Sequence, residues 1–143
     1  PGNFKVPFGM NQAELIEAAG GYKVDPEKII SGGPMMGFSM FTVDVPVTKT
    51  SSSILCFTKD EVAQYEPTAC INCGRCVEVC PSRLIPSRLA DYAEHHDEEA
   101  FTKHEGLECM ECGSCSYVCP AKRQLKQAIG SMRKTALANR KKK

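Results

Sequence analysis

Apolar residues fall in strand-like runs as far as Thr58, and helical spacing takes over from Asp60. Phe4-Lys5-Val6-Pro7-Phe8 predicts a short strand. Asn11-Gln12-Ala13-Glu14 follows as a capping-box variant, with Asn at the N-cap and Glu at N3. It opens a helix whose Leu15, Ile16 and Ala19 share one face and which Gly20-Gly21 stops. Lys28-Ile29-Ile30-Ser31 predicts a second strand. Thr42-Val43-Asp44-Val45 and Ile54-Leu55-Cys56-Phe57-Thr58 predict two more, separated by a Thr/Ser-rich turn. Between them, Gly32-Gly33-Pro34-Met35-Met36-Gly37 is too glycine-rich for regular structure. It matches neither dinucleotide nor P-loop spacing, and no helix follows on which an anion could sit. A tight turn is expected, with Met35 and Met36 packed against a neighbouring surface.

In the second half, the 28 residues between Cys80 and Cys109 lack the alternation of a strand pair. Pro86 at N1 starts a predicted helix through Leu89, Tyr92 and Ala93. Asp97-Glu98-Glu99-Ala100-Phe101 starts another with carboxylates in its first turn. Leu125, Ala128, Ile129 and Met132 fall on one face of a third. The fold class is therefore α+β, with a small β-grasp-like module preceding an all-α one.

Charge and length add bounds. At 143 residues the chain fits one domain or two small ones, and its start at Pro1 suggests a piece of a longer protein. No apolar stretch approaches the ~18 residues of a membrane helix, and no signal-like segment is visible, which points to a soluble protein of a reducing compartment. Residues 1–120 hold all 17 acidic residues and half of the 18 basic ones; residues 121–143 hold the other half and no acid. Such a basic end suits phospholipid headgroups, an acidic partner or nucleic acid, or else a solvated, frayed terminus. Nucleic acid fits least, because no aromatic residue follows Tyr117 to stack on bases.

Cysteine spacing carries the chemistry. Cys70-Cys73-Cys76-Cys80-Pro81 and Cys109-Cys112-Cys115-Cys119-Pro120 repeat one Cys-x2-Cys-x2-Cys-x3-Cys-Pro pattern, the spacing bacterial ferredoxins use for [4Fe–4S] clusters. Two-residue gaps let a tight loop wrap three thiolates around one face of a cube, and the fourth comes from afar. In two-cluster ferredoxins the last Cys of each run serves the other cluster. The expected ligands are thus Cys70, Cys73, Cys76 and Cys119 for one cluster and Cys109, Cys112, Cys115 and Cys80 for the other. Gly74 and Gly113 hold equivalent slots where a side chain would block the approach of backbone to sulfur. Ile71, Val77, Met110 and Val118 are expected to form a dry wall. Zinc would strand the third Cys of each run, and disulfides do not suit a chain without secretion signals. Cys56, in an apolar run, is expected to be a buried small hydrophobe. His95, His96 and His104 lie among charged residues and are expected to face solvent, with a minor alternative of tuning a cluster. The helical connector favours a helical ferredoxin over the compact β-containing type.

The Gly32–Gly37 loop, then Val45-Pro46-Val47-Thr48-Lys49, then the two cysteine runs resemble, in that order, the C subunit of the Rnf electron transport complex. The resemblance implies a soluble-ligand-binding β-grasp (SLBB) module over residues 1–45, a connecting segment with strands over 46–66, a two-[4Fe–4S] helical ferredoxin domain over 67–130 and a basic C-terminal tail over 131–143. It implies an electron-transfer subunit of an ion-translocating ferredoxin:NAD oxidoreductase, with no bond-making active site in this stretch. FMN and NADH would bind a preceding domain that is missing here. The implied partners are other Rnf subunits, soluble ferredoxin and, through the basic tail, an anionic membrane. The implied location is peripheral, on the cytoplasmic face of the plasma membrane. The alternatives are a dicluster subunit of another dehydrogenase or reductase, or a binding module whose clusters are structural.

Overall fold

Asn11 caps the first helix as its place in the sequence predicts. Its side-chain oxygen accepts the Ala13 N–H at 2.8 Å, satisfying one of the donors a helix start leaves unpaired, and α1 runs Gln12–Ala18. Gln12 is its buried member, Leu15 and Ile16 are half-buried, and Ala19 is exposed. The computed structural model describes residues 2–141 and divides the chain into two units, Pro1–Gln64 and Tyr65–Lys143.

In the first unit three antiparallel strands form a sheet of order β2-β1-β3, with β1 Lys28–Ser31, β2 Phe38–Met40 and β3 Ile54–Phe57. Ile30 stands opposite Ser39 on one side and Leu55 on the other. The turn from β1 to β2 is closed by the Gly37 N–H on the Gly33 carbonyl at 2.8 Å. A Cβ on Gly37 would lie 2.5 Å from that carbonyl oxygen and 2.7 Å from Ile30 Cγ2, so the turn admits no side chain there. Lys28 and Asp60, 2.9 Å apart, tie the start of β1 to the chain beyond β3, and the ammonium holds the Asp60 carboxyl below its ordinary range.

Two expected strands do not form. Phe4–Phe8 finds no ladder partner: Pro7 has no N–H to give, and Phe4 and Phe8 remain exposed. Thr42–Val45 spends its carbonyls on the start of α1, where the Gln12 N–H bonds Val45 at 3.0 Å and the Ala13 N–H bonds Val43 at 3.2 Å. Thr42 Oγ1 also accepts the Asp44 N–H, which bends the segment locally. The strand forms instead at Phe38–Met40. Met35 and Met36 are exposed rather than packed, since the crowded interior of their turn excludes them. Cys56 is likewise exposed, not buried, on a thinly covered sheet beside Tyr22. The boundary also differs from a module ending at residue 45 and a connector over 46–66. Because β3 pairs with β1 along its whole length, the chain belongs to the first unit as far as Gln64.

The second unit is helical: α2 Arg75–Glu78, α3 Pro86–Glu94, α4 Glu98–Lys103, α5 Ser114–Tyr117 and α6 Leu125–Arg140. Pro86 occupies the first turn of α3, and the Asp97 side chain caps α4 by accepting the Ala100 N–H at 2.9 Å. Phe101, Leu89, Leu125 and Ile129 are fully buried, each stabilising the unit by about 1.5–3 kcal/mol. Residues 131–143 were expected as a basic tail. The helix instead continues through Arg140, because Met132 and Ala136 keep its apolar face on the core and Asn139 Nδ2 donates to Glu98 at 2.7 Å. Lys142 and Lys143 lie outside the described residues. No helix among the described residues is long and apolar enough to cross a membrane.

Candidate metal centres

The two cysteine runs fold as one backbone drawn twice. Gly74 and Gly113 precede α2 and α5 with φ of 76° and 84°, a left-handed turn that strains any residue bearing a Cβ. Asn72 and Glu111 match at φ 54° and 55°, and Arg83 and Lys122 at 55° and 53°. Hydrogen bonds repeat as well: the Arg83 N–H meets the Cys80 carbonyl at 3.0 Å, and the Lys122 N–H meets that of Cys119 at 3.1 Å. Identical spacing thus builds two loops of matching backbone, each burying its third thiol.

Two cavities lie among these thiols. One is lined by Cys70, Cys73, Cys76 and Cys119; the other by Cys80, Cys109, Cys112 and Cys115. Each therefore combines three thiols of one run with the last of the other. Cys76 and Cys115, at corresponding positions, are the buried pair, whereas Cys70 and Cys73 are exposed. Among the described residues no three His, Cys, Asp or Glu side chains converge closely enough for a single ion. Four thiols line each cavity, one for each iron of a [4Fe–4S] cube.

Sulfur hydrogen bonding differs between the cavities. In the second, the Leu84 N–H donates to Cys80 Sγ at 3.3 Å and the Glu111 N–H to Cys109 Sγ at 3.4 Å. Cys112 Sγ lies 3.5 Å from Ser114 Oγ, which lowers its thiol pKa. Burial pushes the Cys109 thiol up and that of Cys115 to about 11, so in the metal-free chain both hold their protons at neutral pH. In the first cavity Cys70 Sγ lies 3.7 Å from Asn72 Oδ1.

The expected dry wall is placed differently. Ile71 and Met110 line the cavities but are 65% and 56% exposed, and neither Val77 nor Val118 lines either one. The buried apolar lining comes from Leu84, Leu89 and Ile129 in the second cavity and Leu125 in the first, residues that the sequence pattern marks only as helix faces or not at all. All three histidines are exposed. His95 and His104 donate from Nδ1 to the carbonyls of Asp91 and Ala100, and no histidine lines a cavity. Cys56 belongs to the other unit. Two polar residues of the site escape sequence reading, Glu111 and its partner Arg133, because charged residues at such positions look like ordinary surface.

Comparison with known proteins agrees with this chemistry. Residues 69–123 match the 4Fe-4S dicluster domain, and residues 1–39 match the SLBB domain. The chain is 42% identical over 142 residues to the C subunit of the Na(+)-translocating ferredoxin:NAD(+) oxidoreductase complex of Acetobacterium woodii, covering 99% of this chain and 32% of that protein. It is 47% identical over 90 residues to the C subunit of the proton-translocating ferredoxin:NAD(+) oxidoreductase complex of Clostridium ljungdahlii, covering 63% and 20%. To the C subunit of the ion-translocating oxidoreductase complex of Methanosarcina acetivorans it is 45% identical over 89 residues, covering 62% and 20%. The chain spans between a fifth and a third of the length of these relatives.

Proposed function

Because the chain belongs to the family of C subunits of ion-translocating oxidoreductase complexes, we propose that it relays single electrons within such a complex through two [4Fe–4S] clusters. The observation that carries this reading is the pair of cavities, each lined by four thiols drawn from both runs. Cys70, Cys73, Cys76 and Cys119 would hold one cluster, and Cys80, Cys109, Cys112 and Cys115 the other. A bound cluster accepts and returns one electron without bond-making chemistry from the protein. The residues of this chain supply the rest. Buried Leu84, Leu89, Leu125 and Ile129 keep water from one side of the thiols, and the Leu84 and Glu111 amides direct N–H groups at sulfur, which favours the more negative, reduced form.

Electrons would pass between an FMN- and NADH-binding part of the full protein and neighbouring subunits, with soluble ferredoxin as the other terminus. The likeness spans relatives named for sodium and for protons. The protein would sit peripherally at the cytoplasmic membrane face, its basic end against anionic lipid.

Anaerobic reconstitution tests the reading. About eight irons and eight sulfides per chain, with EPR of two interacting reduced clusters, are expected. In Cys80→Ser the signal of the cluster shared with Cys109, Cys112 and Cys115 should be the one disturbed. Zinc without sulfide would overturn the relay, and damage confined to the other cluster would overturn the crossed assignment.

A further inference from the structure

The backbone repeat is broken in charge at one slot. Asn72 and Glu111 share the same left-handed conformation, but only the second carries a carboxylate. That carboxylate reaches α6, where Arg133 Nη1 donates to Oε1 at 3.3 Å while Arg133 Nε donates to the Leu107 carbonyl at 2.9 Å. A Cβ on Gly130 would stand 2.9 Å from Glu111 Oε2, so the glycine lets the carboxylate lie against the helix without shifting. Glu111 meanwhile lines the second cavity, and its N–H donates to Cys109 Sγ at 3.4 Å. Glu111 and Arg133 are only 23% and 31% exposed, which limits screening of the pair by water and salt.

We propose that the Glu111–Arg133 ion pair tunes the reduction potential of the cluster at Cys80, Cys109, Cys112 and Cys115. The inference rests on the relay reading above. Reduction places one more negative charge on that cluster. The carboxylate, which lines the cavity, opposes it, and the guanidinium behind the carboxylate offsets part of that opposition. Each residue therefore partly masks the other. Asn72, in the corresponding slot of the other run, brings no charge. Glu111 and Arg133 are positioning residues whose charges act on the cluster without ligating it.

EPR-monitored titration of the reconstituted chain with dithionite reads the effect, with the wave of this cluster assigned as the one that Cys112→Ala abolishes. Glu111→Gln should move that wave to more positive potential and Arg133→Gln to more negative potential. The double variant should shift in the same direction as Glu111→Gln but by less, Arg133→Lys should shift less than Arg133→Gln, and the other wave should stay fixed. Shifts of one sign in both single variants, equal movement of both waves, or no movement would overturn the proposal. Iron and sulfide are counted first: a parent chain that fails to load them overturns the relay itself. Should Arg133→Gln alone fail to load, the isosteric Glu111→Gln variant carries the test.

Discussion

Glu111 shows how a single residue serves two structures at once. Its main chain completes a cysteine loop in the left-handed region, and its side chain fastens that loop to a helix. Neither duty is visible in the sequence, since the partner lies 22 residues away and a carboxylate among charged neighbours reads as surface. The cysteines are the opposite case: their spacing alone nominates all eight thiols that the cavities gather. Cys56 misleads because an apolar run implies burial only where something covers it, and β3 is thinly covered. Thiol burial also has a pH consequence. The Cys115 thiol rises from 9.0 to about 11 on folding, so the metal-free fold favours its neutral form. That contribution is fully present below pH 9.0 and is lost as pH climbs toward 11. Circular-dichroism melts of the iron-free chain should show the unfolding temperature falling across this window, and falling less in Cys115→Ala. An equal decline in both would place the cause elsewhere.

At the scale of elements, the longer helices announce themselves, whereas strands do so only in part: Lys28–Ser31 and Ile54–Phe57 form where expected, and Thr42–Val45 does not. α3, α4 and α6 each carry their own evidence in a cap or a periodic apolar face. A strand needs a partner that its own residues do not name. Thus Thr42–Val45, apolar enough, lends its carbonyls to α1, while the short Phe38–Met40 stretch finds β1. The length of α6 is the element-level finding with a measurable consequence. If its last turns were a solvated tail, trimming Met132 would cost almost nothing. Buried as it is, Met132→Ala should destabilise the unit by about 2–4 kcal/mol in urea unfolding of the metal-free chain. A change below about 0.5 kcal/mol, the ordinary surface range, would restore the tail reading.

For the molecule as a whole, the uneven charge along the chain acquires a carrier. Four of the nine basic residues after Pro120 sit on a helix whose other side is buried, and Lys134, Arg140 and the C-cap Lys141 are exposed to solvent. If that display meets lipid, the chain should float with anionic vesicles and not with neutral ones. Raising ionic strength from about 0.1 M to about 1 M, which shortens the screening length from ~10 Å to ~3 Å, should release it. Binding to neither vesicle would leave the helix a purely structural one. The exchanged fourth thiols have a consequence of their own for biosynthesis. A nascent chain made as far as Met110 would have only three thiols for the cavity of the first run and two for the other. The first full set arrives with Cys115 and the second with Cys119. With the ligands proposed above, a ribosome would have to deliver both loops before either could be filled, so metal loading would wait for synthesis to reach Cys115 rather than begin at the first run.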